Sequence, residues 1–62
     1  MDIVKLDEVG PMDYRFAVNG REYRIHFEQG AWMLDEFGVG GERVASMEVR
    51  SLGEGVNWVL DD

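Results

Sequence analysis

The dipeptide Asn19-Gly20, inside the run YRFAVNGREYRIHF, constrains this chain more than any other feature. A two-residue type I′ turn needs positive φ at both central positions, and Asn-Gly supplies it at low steric cost. Such a turn fixes a hairpin register in which Val18 faces Arg21, Phe16 faces Tyr23, Tyr14 faces Ile25 and Met12 faces Phe27. One face is then apolar, and the other carries Arg15, Ala17, Glu22, Arg24 and His26. A second tight turn at Gln29-Gly30 brings AWMLDEF back against residues 21–28, with Trp32 beside Phe27 and Leu34 beside Ile25. Both land on the same apolar face. Because a one-residue slip would turn every side chain over, the agreement of two turns predicts a three-stranded meander.

The GVGG run at residues 38–41 reads as a loop. The following ERVASMEVRSLG is open to two readings. Its helix propensity is good and Gly53 would serve as a C′ cap, but a helix over about residues 42–52 puts Glu48 within the apolar stripe. As a strand, Ala45, Met47 and Val49 alternate with Ser46, Glu48 and Arg50, and this reading is preferred. A loop at Leu52 to Gly55 would then lead into a last strand pairing Val49 with Trp58 and Met47 with Leu60. Residues 3–8 alternate as a short first strand that Gly10-Pro11 ends. The expected fold is all-β: a small antiparallel meander of five or six strands, as a sheet or a partly closed barrel. The alternative is α+β, with a helix at about residues 42–52. Trp32, Trp58, Tyr14, Tyr23, Phe16 and Phe27 are expected in the core, whereas Phe37 points away from Trp32 and Leu34.

Sixty-two residues make a single domain with a thin core. Without cysteine, its stability rests on aromatic packing or self-association, so a monomer and a homodimer both fit. The opening MDIVKLDEVG lacks the pattern of a signal peptide, and the longest uncharged apolar run, AWML, is far too short to span a bilayer. A cytoplasmic location is expected.

Thirteen acids against six bases give a net charge of −7, which opposes direct binding to nucleic acid or to anionic membranes and points to a basic partner. The charge is unevenly spread. In residues 12–28, Asp13, Glu22 and Glu28 cancel Arg15, Arg21 and Arg24, so the whole excess lies outside the hairpin. On the predicted register Arg24 lies between Arg15 and Asp35, and His26 lies opposite Asp13. A lone histidine with neither nucleophile nor companion ligand assembles no known catalytic or metal site. The pairs Asp7-Glu8, Asp35-Glu36 and Asp61-Asp62 do not converge as catalytic carboxylates, because neighbours on a strand face opposite ways. There is no EF-hand spacing, and GVGG lacks the lysine of a phosphate loop. The sequence predicts no enzyme, no cofactor and no metal site.

Carboxylates on alternate residues and neighbouring strands of a small sheet form an extended anionic array. The candidate partner-binding residues are Asp7, Glu8, Asp35, Glu36, Phe37, Glu42, Glu48, Glu54, Asp61 and Asp62. Such an array fits the groove of a nucleic-acid-binding protein, where it would exclude DNA or RNA.

In its size, absence of cysteine, acidic runs LDE, LDEF and VLDD and compact aromatic β core, the chain resembles the small phage-type inhibitors of bacterial defence. These include the anti-CRISPR and anti-restriction proteins that act as DNA mimics. The likeness lies in overall character and carries no motif. It implies a phage or prophage origin and a partner such as a CRISPR effector subunit. Two other expectations stand beside it. One is a protein-interaction module of antitoxin, immunity or adaptor type, docking through an edge strand or an exposed apolar patch around Phe37. The other is a structural protein that self-associates.

Overall fold

A computed structural model describes residues 4–61 of the chain. Five antiparallel strands follow one another in chain order: β1 (Asp7–Gly10), β2 (Asp13–Val18), β3 (Arg21–Glu28), β4 (Ala31–Phe37) and β5 (Arg43–Val49). Among the described residues one helix, α1 (Leu52–Leu60), follows the strands. The sheet is open, with β1 and β5 at its edges.

The two dipeptide turns act as expected. Asn19 and Gly20 have φ of 53° and 81°, and Gln29 and Gly30 have 52° and 79°, so both hairpins close through positive-φ pairs. The registers that follow are those the sequence predicts, from Val18 opposite Arg21 to Tyr14 opposite Ile25, and from Phe27 opposite Trp32 to Arg24 opposite Asp35. The first hairpin turns at Pro11-Met12, where Met12 takes φ of 54°, a conformation commoner for glycine or asparagine. The first strand is shorter and later than expected. It runs from Asp7 to Gly10 with an irregularity between Glu8 and Gly10, while Val4 and Leu6 precede it and pack on the core. Ile3, also assigned to that strand, lies outside the described residues.

Residues 43–49 form a strand and not a helix, with Val49 opposite Trp32 and Met47 opposite Leu34. The expected sixth strand does not form. In its place is α1, and neither Trp58 nor Leu60 enters the sheet. Ser51 caps the helix, its Oγ accepting from the backbone N–H of Glu54 at 3.1 Å, and the Glu54 carboxylate reaches back to accept from the N–H of Arg50. This S-x-x-E arrangement satisfies helix-terminal donors and neighbouring backbone at once. Leu52, Val56, Val59 and Leu60 then recur at helical spacing.

The helix covers the apolar face of β3, β4 and β5. The core holds Phe16, Tyr23, Ile25, Leu34, Val49 and Val59, with Phe16 and Tyr23 stacked at 5.4 Å. Gly55 brings the helix close: a Cβ there would stand 2.7 Å from Ile25 Cδ1 and 3.3 Å from Val49 Cγ2. Only one face of the sheet is covered in this way, and the other carries polar side chains.

Candidate functional site

The uncovered face is organised around Asp35. Its same-face neighbours are Arg24 and Ser46 on the flanking strands, and Met33 and Phe37 along β4. Together they leave Asp35 only 2% exposed, although it lies on the side away from the helix. The carboxylate is satisfied: Ser46 Oγ donates to Oδ1 at 2.6 Å, and His26 Nε2 lies 3.0 Å from Oδ2. A carboxylate only accepts, so the His26 Nε2 carries the hydrogen of that bond. The other ring nitrogen of His26 faces Glu28 at 3.8 Å.

Serine, histidine and aspartate therefore meet, but in an order that does not activate a nucleophile. In a hydrolytic triad the histidine stands between serine and carboxylate and takes the serine proton. Here the carboxylate stands between them, and the Ser46 hydroxyl hands its hydrogen to Asp35 rather than to His26. The cluster joins β3, β4 and β5 through side chains. Among the described residues no three His, Cys, Asp or Glu side chains are grouped to hold a metal ion.

Three of the six positive charges are engaged within the fold. Arg24 bonds not to Asp35, its neighbour in the register, but to Asp13, in a two-pronged contact with Nε to Oδ1 at 2.9 Å and Nη2 to Oδ2 at 2.8 Å. That contact holds the Asp13 carboxyl below its ordinary value and raises the Arg24 guanidinium, the shared hydrogen bonds being the main cause of both. Arg21 pairs with Glu36 at 2.9 Å, and Arg15 lies over the Phe37 ring at 5.2 Å.

These contacts redistribute the expected acidic array. Asp35 is buried, Glu36 is paired with Arg21, Glu54 is held at the start of α1, and Phe37 is half-buried beneath Arg15 rather than exposed. The Glu8 carboxylate accepts from the Tyr14 hydroxyl at 3.4 Å. Asp7, Glu42, Glu48 and Asp61 are exposed with no ionic partner among the described residues, and Glu22, which the sequence reading left out, joins them. Asp62 lies outside the described residues. The free carboxylates are spread over both edge strands, the start of β3 and the C-terminal end, and no single row of the sheet collects them.

A second feature lies at the β5 edge. Trp58, expected in the core, is 48% exposed on α1, and with Tyr23, Leu34, Glu36, Ala45, Ser46 and Met47 it lines a small, mostly apolar cleft of about 60 Å³. Val44 beside it is 55% exposed. The sequence reading missed this patch because it took Trp58 for a strand residue; the capping pattern Ser51-Leu52-Gly53-Glu54 was the signal that placed it on a helix. Among the described residues no helix is long and apolar enough to cross a membrane. Comparison with protein-family models, with curated proteins and with solved structures finds no match.

Proposed function

We propose that this chain is a non-catalytic acidic binding protein that occupies the basic, nucleic-acid-binding surface of a protein partner and keeps DNA or RNA from it. The observation that carries the reading is the division of charge. Arg15, Arg21 and Arg24 are turned onto an aromatic ring or onto carboxylates of the same chain, while Asp7, Glu22, Glu42, Glu48 and Asp61 face solvent without ionic partners among the described residues. A net charge of −7 on so small a body attracts lysine- and arginine-rich grooves and repels phosphate. Phage-type inhibitors of bacterial defence work in this way, and a CRISPR effector subunit in the bacterial cytoplasm has the fitting chemistry.

The test is capture of partners from bacterial lysate on the immobilised chain, with release by stepped salt and, separately, by duplex DNA. The triple variant Asp7→Lys, Glu22→Lys, Asp61→Lys alters only exposed, unpaired acids away from β5. Release of a nucleic-acid-binding protein by DNA, and its loss from the triple variant, support the reading. A partner that resists both salt and DNA and still binds the variant rejects it.

The apolar cleft at Trp58 favours a second reading, an interaction module of antitoxin, immunity or adaptor type. Binding would then be insensitive to salt and abolished by Trp58→Ser.

A further inference from the structure

The two edges of the sheet are not alike. β1 is four residues long, carries an irregularity and runs into Pro11, features that discourage strand addition. β5 is seven residues long, contains neither proline nor lysine, and among the described residues pairs on one side only. Its outward hydrogen-bonding groups can be identified. A two-residue turn makes its flanking residues a hydrogen-bonded pair, so Val18 with Arg21 and Glu28 with Ala31 exchange bonds, and pairs then alternate across the sheet. The bond from Phe27 N–H to the Met12 carbonyl, 2.9 Å, agrees with this alternation. Carried on to β5, it turns Met47 and Val49 towards β4, and it leaves the backbone N–H and C=O of Ser46 and Glu48 pointing outward.

The register between β4 and β5 shifts between Glu36 and Phe37: Glu36 faces Ala45, but Phe37 faces Arg43, so Val44 is an extra residue. The shift has two effects. It puts Arg43 on the uncovered face together with Ser46 and Glu48, and it turns the Arg43 backbone groups outward as well. Neither Arg43 nor Glu48 has an ionic partner among the described residues.

We infer that β5 pairs with β5 of a second copy of this chain, antiparallel about a two-fold axis at Ser46, to make a continuous ten-stranded sheet. In that register Ser46 faces its own counterpart, and the extra residue Val44 together with Ala45 faces Met47 of the other copy. Arg43 then faces Glu48 of the other copy, twice by symmetry. The outward groups of three residue pairs supply about six backbone hydrogen bonds. Both faces match: the ion pairs form on the uncovered side, and Val44, Met47 and Trp58 of the two copies extend the apolar layer on the helix side. The interface is isologous, so one short strand serves as both donor and acceptor. This inference does not depend on the acidic-inhibitor reading.

Sedimentation equilibrium on the full chain at about 0.15 M salt, where charges more than ~8 Å apart are screened, tests it. The wild type is expected at twice the 7.1 kDa chain mass. Glu48→Arg and Arg43→Glu each place like charges opposite one another and should weaken the dimer about tenfold or more. The double swap Arg43→Glu, Glu48→Arg should restore it. Both residues are exposed and unpaired in the single chain, so circular dichroism should show unchanged folding in all variants. A wild type that stays monomeric to millimolar concentration overturns the inference. So does a dimer that both single variants leave intact, or one that the double swap fails to rescue.

Discussion

Asp35 occupies a position the register identifies and an environment it does not. Its place opposite Arg24 follows from the Gln29-Gly30 turn, but its burial comes from Arg24, Ser46, Met33 and Phe37 closing over it. In the sequence it reads as half of an exposed acidic pair; in the fold it is the acceptor for Ser46 and His26. Asp35→Ala would leave the largely buried His26 ring without its acceptor, while the exposed Ser46 hydroxyl can turn to water, and should cost about 1–3 kcal/mol in urea melts. A loss below about 0.5 kcal/mol, the scale of neutral surface changes, would contradict a structural role for the cluster. The Asp13–Arg24 pair makes a pH prediction. Asp13 titrates lower in the fold than its ordinary value of 3.8, so its contribution is complete above that value and is lost as pH falls through the lower, folded one. Melting temperatures measured across the acid range should fall less steeply for Asp13→Asn than for the wild type.

Among the elements, α1 separates what sequence patterns predict from what packing decides. Two glycines within nine residues argue against a helix on propensity alone, yet the segment read as a loop at Leu52 to Gly55 is its first turn. They have different roles. Gly53 faces open space, whereas Gly55 sits where the helix meets Ile25, which is fully buried and has little room to yield. Gly53→Ala should therefore stabilise the chain by up to about 1 kcal/mol through helix propensity. Gly55→Ala gains the same propensity but should be net destabilising, by about 1–3 kcal/mol, because it overpacks the core. Thermal melts of the two variants decide the matter: an equal gain from both would show that the helix does not need its close approach. The strands were more legible than the helix. The Asn19-Gly20 and Gln29-Gly30 turns set the β2–β3–β4 registers by local geometry, and the alternation in residues 43–49 set β5.

The radius of gyration of the described chain, 10.9 Å, is close to the ~10.6 Å expected of a compact domain of this length. On that body the net charge was legible in the sequence, but its disposition was not. Whether a carboxylate is free depends on which arginine reaches it across the strands: Arg24 crosses to Asp13, and Arg21 reaches Glu36. For the same reason the β5 edge could not be found before Trp58 was placed on α1 beside it. The meander also bears on how the chain reaches this structure. Each strand pairs only with its neighbours in sequence, so little loop entropy must be lost before a native pairing forms, and the sheet can grow one hairpin at a time from its two tight turns. Such a low contact order favours rapid folding for a β-rich chain, with α1 docking late. Native-state hydrogen exchange should accordingly find β3, the middle strand of the five, the slowest to open, and the helix released before it.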